Sequence, residues 1–171
     1  MLTFARLVRK TMKKLNVLLL GGGGREHAIA WKLAQSESLN QLYIAPGNGG
    51  TAEVGTNLEI GETNFPEIKR AIIDNQIDLL IVGPEAPLVK GIREYIESDV
   101  DTENVRIIGP GRAGAQLEGS KSFSKEFMAK HGIPTAKYGV FNSTELEEAK
   151  DFLHKMNPPF VLKADGLAGG K

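Results

Sequence analysis

Short apolar runs alternate along the chain with longer segments in which apolar residues recur at helical spacing. The clearest runs cover residues 15–20, 41–45, 77–82 and 105–108, and glycine or proline lies close after each. Runs without polar alternation are typical of strands that are covered on both faces, as in parallel sheets. The helical segments between them indicate strand–helix–strand units. We therefore predict an α/β fold with a doubly wound parallel sheet over residues 15–110.

The segments between these runs carry the usual signals of helix faces and ends. Residues 25–35 predict a helix, and its predicted buried stripe consists of Ala28, Ala30, Trp31, Leu33 and Ala34. A capping box at Asn64 begins the next helix, and residues 88–96 predict one further amphipathic helix. Helical spacing indicates that Trp31 and Phe127 are core residues rather than surfaces on which a base stacks.

The pattern changes after Gly111. Ser120 is the predicted N-cap of another helix. Apolar runs at residues 137–141 and 160–165 predict two more strands with a helix between them. Residues 111–171 are therefore predicted to form a second region with a different organisation.

The first 14 residues are basic and contain no acid. We predict a disordered extension, or a start codon upstream of the true one at Met12. A targeting presequence is the alternative, although neither a small-residue cleavage site nor a long apolar core follows.

Composition and charge limit the classes of partner. The 171 residues contain 21 Lys and Arg against 21 Asp and Glu, so the formal net charge is zero. This balance does not favour nucleic acid or an anionic membrane as the partner. With no cysteine and three widely separated histidines, neither a disulfide nor a familiar metal-ligand spacing is available. No apolar run is long enough to span a bilayer, and we expect a cytoplasmic, monomeric protein that binds small molecules.

Three glycine- or proline-rich loops follow predicted strands, at residues 21–24, 46–51 and 83–87. In a parallel sheet the carboxyl ends of the strands lie along one edge, where ligands bind. The first loop consists of four glycines before a helix, so an anion can approach backbone N–H groups closely and meet the positive end of the helix dipole. We predict that this anion is a phosphate.

Two details oppose a dinucleotide site. The dinucleotide pattern G-x-G-x-x-G needs a third small residue where this chain has Glu26 or His27, and the acid expected after the second strand is replaced by Pro46. The last glycine-rich loop is not a Walker A loop either, because Asp165 stands where that pattern has its first glycine. An NAD-dependent oxidoreductase and a non-catalytic phosphate-ligand sensor that is complete at Lys171 remain the two alternatives.

Five motifs that occur in order resemble one known family. They are Gly-Gly-Gly-Gly-Arg-Glu-His-Ala (21–28), Pro-Gly-Asn-Gly-Gly-Thr (46–51), Gly-Pro-Glu-Ala-Pro-Leu (83–88), Leu-Glu-Gly-Ser-Lys (117–121) and Lys-Ala-Asp-Gly-Leu-Ala (163–168). The chain resembles the phosphoribosylamine–glycine ligases, which are ATP-grasp enzymes of purine synthesis, over residues 15–171. That family often has Gly-Asn-Gly-Gly in place of the four glycines, and Ala-Gly-Lys near residue 171.

The resemblance implies a fold, a reaction and its ligands. A Rossmann-like substrate-binding domain at residues 15–110 would be followed by the truncated start of an α+β ATP-grasp domain at 111–171. ATP would phosphorylate glycine, and 5-phosphoribosylamine would attack the glycyl phosphate to give glycinamide ribonucleotide, ADP and phosphate. Mg²⁺ would bridge the nucleotide phosphates through ligands outside these residues. The chain itself is therefore expected to be inactive alone, with no catalytic or metal-binding residue.

The resemblance also implies residue roles. Substrate would be bound by Gly22, Gly23, Gly24, Arg25, Glu26, Asn48, Gly49, Gly50, Thr51 and Glu85. The alternatives are a tight turn for the glycines, a helix-terminal charge for Glu26, a simple turn for residues 48–51 and a solvent-facing loop acid for Glu85. His27 is interpreted as a packed or capping residue rather than a catalyst.

Three lysines resemble those that bind ATP in ATP-grasp enzymes, namely Lys121, Lys163 and Lys171. Lys163 lies in a predicted apolar strand, where a charged side chain is costly unless it meets an anion. Lys121 could instead be a surface lysine of its helix. Lys171 lies in what resembles a loop that closes over the triphosphate.

Overall fold

The computed structural model of the protein describes residues 13–167. The chain divides into two compact units, Met1–Ala113 and Gly114–Lys171, here called unit 1 and unit 2. The basic extension up to residue 12 and the predicted ATP ligand Lys171 lie outside the described residues.

The described part of unit 1 alternates strands and helices, as predicted. In chain order its elements are β1 (Leu15–Gly21), α1 (Gly24–Leu33), β2 (Leu39–Pro46), a 3₁₀ turn (Thr51–Glu53), β3 (Thr56–Asn57), α2 (Phe65–Asp74), β4 (Leu79–Val82), α3 (Glu85–Lys90), α4 (Ile92–Glu97) and β5 (Arg106–Ile108). Helix α5 (Arg112–Gly119) crosses from unit 1 into unit 2, which also contains α6 (Lys121–Lys130) and α7 (Leu146–His154).

The five strands form one parallel sheet in the order β3-β2-β1-β4-β5. The chain winds outward from β1 in one direction to β3, and then returns to the other side of β1 for β4 and β5. The prediction of a doubly wound parallel sheet in an α/β fold is therefore confirmed. Between β1 and β4 the strand order reverses, and this is the place where such sheets bind ligands.

The core of unit 1 lies on both faces of the central strand. Alternate residues of β1 point to opposite faces, and Val17, Leu18, Leu19 and Leu20 are all at most 2% exposed. Val17 and Leu19 belong to a cluster that includes Ala30 of α1. A strand covered on both faces explains why its sequence is continuously apolar.

The buried stripe of α1 differs from the predicted one. Glu26 and Ala30 are buried, whereas Ala28 and Ala34 are exposed and Trp31 is 57% exposed. The prediction that Trp31 is a core residue is therefore wrong. Residues four apart share a helix face, so Glu26 and Ala30 both face the sheet. Trp31 follows Ala30 by one residue and is therefore rotated about 100° around the helix axis, away from the sheet.

Two helices replace the single helix predicted over residues 88–96. Gly91 separates α3 from α4 and has a φ of 89°, a left-handed conformation that side-chain-bearing residues rarely adopt. The predicted apolar face is still mostly buried, since Leu88, Ile92 and Ile96 lie in the core, while Tyr95 is 37% exposed.

Unit 2 confirms the predicted helices but not the predicted strands. Ser120 caps α6 by accepting a hydrogen bond from the Phe123 N–H, and Phe127 is half-buried against the His131 ring, 4.4 Å between centroids. Residues 137–141 and 160–165 have no strand structure in the described chain. A strand needs a ladder partner for its backbone groups, and neither segment pairs with another in the part of unit 2 that the structure describes.

Within residues 13–167 there is no helix with both the length and the apolar character needed to cross a bilayer.

Candidate functional site

The carboxyl ends of the three central strands bring the glycine-rich loops together. Gly21 is in register with Pro46, and Leu20 is in register with Val82, the residue before Gly83. The Gly47 N–H donates to the Gly21 carbonyl at 3.2 Å, and the Gly83 N–H donates to the Leu20 carbonyl at 3.1 Å. The three loops thus meet at one edge of the sheet, at the point where the strand order reverses.

Backbone packing explains why the first loop needs glycine. A Cβ atom on Gly22 would lie 2.7 Å from the Gly47 carbonyl oxygen, so the first two loops touch through their main chains. Gly21 has a φ of 121°, which favours glycine. A Cβ atom on Gly24 would meet nothing within 4 Å. The loop is therefore packed at Gly22 and open at Gly24, where α1 begins and its dipole favours an anion.

Glu26 is a buried carboxylate directly beneath this loop and is only 4% exposed. Its Oε2 accepts a hydrogen bond from the Gly23 N–H at 2.9 Å, and its Oε1 accepts one from the Arg25 Nε at 2.8 Å. A Cβ atom on either Gly21 or Gly83 would collide with the Glu26 side chain. Glu26 therefore fills the space between the ends of β1 and β4, an arrangement that favours a structural helix-terminal charge over a ligand contact.

Local contacts set the charge state of Glu26. Burial by itself raises the pKa of this carboxyl, but the hydrogen bonds from the Arg25 guanidinium and the Gly23 N–H outweigh that effect. The pKa of Glu26 is therefore below its ordinary value, and the side chain is an anion at neutral pH.

Asn48 joins the second loop to the first. Its Nδ2 donates to the Gly22 carbonyl at 3.0 Å, while its Oδ1 accepts from the N–H groups of Gly50 and Thr51 at 2.8 and 3.0 Å. The Gly50 backbone packs against the His27 ring, since a Cβ atom there would collide with it. This contact favours the interpretation of His27 as a packed residue. The Asn48 side chain, through the three hydrogen bonds above, holds the two loops together.

Arg25 and Glu85 place opposite charges beside the glycine loop. Glu85 is the first residue of α3, directly after the β4 loop, and its Oε2 lies 4.0 Å from the Arg25 Nη2. The Arg25 side chain is 60% exposed and that of Glu85 is 36% exposed. The predicted substrate-binding residues of unit 1 are thus brought to one edge, with a cation and an anion beside the glycines.

In unit 2 the structure reveals a contact that the sequence did not indicate. The Asp165 carboxylate lies at the N-terminus of α6, where it accepts hydrogen bonds from the Lys121 N–H at 2.6 Å and the Ser122 hydroxyl at 2.5 Å. Lys121 Nζ in turn donates to the Gly166 carbonyl at 2.6 Å. The hydrogen bonds from the Ser122 hydroxyl and from these N–H groups hold the pKa of Asp165 well below its usual range.

The second predicted ATP ligand has a different environment from the one expected. Lys163 is exposed and lies on irregular backbone, so the prediction of a lysine in an apolar strand is wrong. The burial cost that supported an anion partner does not apply to it, because water solvates an exposed ammonium group. Among residues 13–167, no group of three His, Cys, Asp or Glu side chains is arranged to hold a metal ion.

A parallel sheet whose strand order reverses beside an open glycine loop defines a doubly wound α/β domain of the kind that binds ligands at this edge. Comparisons with models of known protein families identify the family within this class. The model for phosphoribosylglycinamide synthetase, N domain, matches residues 15–118, and the model for phosphoribosylglycinamide synthetase, ATP-grasp (A) domain, matches residues 119–171. The chain belongs to the phosphoribosylglycinamide synthetase family, and the resemblance stated from its motifs is confirmed.

Individual relatives agree with this assignment. The phosphoribosylamine–glycine ligase of Clostridium acetobutylicum is 50% identical over 158 residues, which cover 92% of this chain and 36% of the relative. The crystal structure of the phosphoribosylamine–glycine ligase of Thermotoga maritima matches with a TM-score of 0.68 and 36% identity, over 92% of this chain and 34% of that one. The chain therefore spans little more than a third of the length of these relatives.

A more distant structure shows the same fold. The biotin carboxylase domain of the Hydrogenobacter thermophilus 2-oxoglutarate carboxylase matches with a TM-score of 0.63 and 18% identity, over 93% of this chain and 37% of that one.

Three features of the site were not found from the sequence. Asp165 belongs to one of the family motifs and departs from the Walker pattern, but neither feature indicated its contact with α6. Asn57, whose side chain contacts the second loop, gave no signal in the sequence. The burial of Glu26 was also unexpected. The spacing of a capping box was a signal for this role, because Glu26 lies three residues after Gly23, and its carboxylate accepts a hydrogen bond from the Gly23 N–H.

Proposed function

We propose that this chain supplies the sugar-phosphate-binding domain and the opening part of the ATP-grasp domain of a cytoplasmic phosphoribosylamine–glycine ligase. The whole enzyme joins glycine to 5-phosphoribosylamine at the expense of ATP. The observation that carries the proposal is the glycine loop at the reversal point of the sheet, whose backbone is open at Gly24, where α1 begins.

The proposed roles in unit 1 follow from this geometry. The Gly24 N–H, at the open start of α1, meets the phosphate, while the Gly23 N–H stays bonded to Glu26. Arg25 adds a positive charge at the rim. Glu85, at the end of the neighbouring strand, accepts hydrogen bonds from ribose hydroxyls or from the amine. Asn48, Gly49 and Gly50 form the second wall of the site, and the fully buried Thr51 supports that wall from behind.

In unit 2 we propose that Lys121 and Lys163 bind ATP phosphates or the adenine edge. Positioning and neutralisation of charge supply most of the catalysis in such a reaction, since no nucleophilic side chain is required. Mg²⁺ binding is assigned to other parts of the enzyme, and we expect no glycine-dependent ATP turnover by these 171 residues alone.

Glu26 argues against the nicotinamide alternative. A dinucleotide site needs a small residue at this position so that the helix packs closely on the sheet. Here a buried carboxylate occupies that place and binds the loop backbone itself.

The first prediction tests the loop with a pair of glycine substitutions. Ribose 5-phosphate is expected to bind the unmodified chain, as measured by titration calorimetry. Gly22→Ala is expected to weaken binding by about tenfold or more, because its Cβ atom collides with the Gly47 carbonyl oxygen and displaces several N–H donors.

Gly61→Ala is the matched control, because a Cβ atom at that exposed position meets nothing within 4 Å. This variant is expected to bind as the unmodified chain does. Equal affinity for all three proteins, or no binding of ribose 5-phosphate to the unmodified chain, contradicts the proposed site.

A further inference from the structure

The short edge strand β3 carries a side chain that reaches into the second loop. Asn57 is in register with Ile44 of β2, so the sheet fixes its backbone. Its Nδ2 donates to the Asn48 carbonyl at 2.8 Å, and its Oδ1 accepts from the Thr51 hydroxyl, also at 2.8 Å. One carboxamide therefore holds the second loop at two points.

The contacts continue from Asn57 to the first loop. The Thr51 hydroxyl, which is fully buried, accepts a hydrogen bond from the Asn48 N–H at 2.7 Å. The Asn48 carboxamide then reaches the Gly22 carbonyl. Asn57, Thr51, Asn48 and Gly22 thus form a hydrogen-bonded series, here called the amide relay, which extends from the sheet edge to the phosphate loop.

Packing confirms that the relay leaves little freedom. A Cβ atom on Gly47 would collide with both the Asn57 carboxamide and the Thr51 hydroxyl. Gly47 has a φ of 73°, so the loop turns sharply against these two side chains. Hydrogen-bonded polar side chains of this kind select one loop conformation.

We propose that Asn57 is a positioning residue of the sugar-phosphate site, acting through Thr51 and Asn48 on the backbone of residues 22–24. Asn57 itself does not touch the ligand. The inference rests on the proposed function, because it concerns the order of the same loops. A binding site gains affinity when its donors are held in place before the ligand arrives.

The test uses the whole chain, ribose 5-phosphate and a double-mutant cycle. Asn57→Ala is expected to weaken binding by about tenfold, and Thr51→Val to weaken it to a similar extent, because either change releases the second loop from its ordered conformation. In the double variant the second substitution is expected to raise the dissociation constant for ribose 5-phosphate by less than a further factor of about two, because both substitutions act on one relay. If Asn57→Ala does not fold, Thr51→Val still tests the relay.

Asn75→Ala is the matched control. Asn75 is a half-buried asparagine of the same unit, and its Nδ2 donates to the Ala71 carbonyl at 2.9 Å at the end of α2. This variant is expected to lose a similar hydrogen bond without changing the affinity for ribose 5-phosphate. It is also expected to leave the Asn48 side-chain NH₂ resonance unchanged, whereas Asn57→Ala moves that resonance.

The outcomes separate the two proposals. If the unmodified chain does not bind ribose 5-phosphate, the proposed function fails. If it binds and Asn57→Ala binds equally well, or if the effects of Asn57→Ala and Thr51→Val simply add, the positioning role is overturned while the proposed function stands.

Discussion

The apolar runs at residues 17–20 and 160–162 have similar compositions but very different environments. The first, in unit 1, is buried on both faces of a sheet. In the second, in unit 2, Phe160, Val161 and Leu162 are 44%, 75% and 83% exposed. The difference is that β1 has a parallel partner on each side, β2 and β4. Strand propensity is thus realised only where neighbouring strands and helices cover the side chains.

The largest effect expected from this comparison concerns two leucines. Leu19→Ala is expected to lower the free energy of unfolding of unit 1 by about 2–5 kcal/mol, because it leaves a cavity in a closed core. Leu162→Ala is expected to change the stability of unit 2 by less than about 0.5 kcal/mol, because its side chain already contacts water. Urea denaturation followed by circular dichroism measures both.

Each substitution is the control for the other, since the same side-chain atoms are removed. Equal losses of stability in the two variants would show that residues 160–162 are as well covered as β1, and the comparison between the units would fail.

A smaller difference is expected between two capping carboxylates. Glu26 is buried and caps α1 within the same helix, whereas Asp165 is exposed and caps α6 from 44 residues away along the chain. Glu26→Gln is expected to destabilise unit 1 by about 1–3 kcal/mol, as for the loss of charge-assisted hydrogen bonds. Asp165→Asn is expected to lower the free energy of unfolding of unit 2 by a smaller amount, because water competes for the same hydrogen-bond donors.

The pH dependence follows from the direction of both pKa shifts. Each carboxyl has a folded pKa below its ordinary value, which is 4.5 for Glu26 and 3.8 for Asp165. The stabilisation is therefore complete above those ordinary values and is lost as the pH falls towards the lowered folded values. Hydrogen exchange of the Gly23 and Lys121 amides below pH 5 measures this loss, and each substitution should abolish it for its own amide. An unchanged acid profile in Glu26→Gln would show that the carboxylate does not hold Gly23.

Much of unit 1 could be predicted from local patterns. Continuous apolar runs predicted the strands, and their parallel arrangement predicted that loops after β1, β2 and β4 would share one edge. Trp31 was misplaced because apolar spacing alone did not reveal that α1 faces the sheet through a glutamate. The burial of Glu26 was not predicted, because buried carboxylates are uncommon and need partners that only the fold supplies.

The remaining contacts depend on non-local pairing. Asn57 lies in a strand of only two residues, too short to give an alternating pattern. Asp165 reaches α6 across more than 40 positions of the chain, and no spacing rule covers that distance. Residues 160–165 have the composition of a strand, but composition does not reveal whether a partner strand lies beside them.

The most direct test of the central claim maps ribose 5-phosphate onto the backbone by NMR. The predicted result is saturable shifts of the amide resonances of Gly23, Gly24 and Arg25, with those of the Val161 and Leu162 amides in unit 2 unchanged. If these three amides do not respond to ribose 5-phosphate but shift on addition of NAD, the account of this loop as a sugar-phosphate site is contradicted.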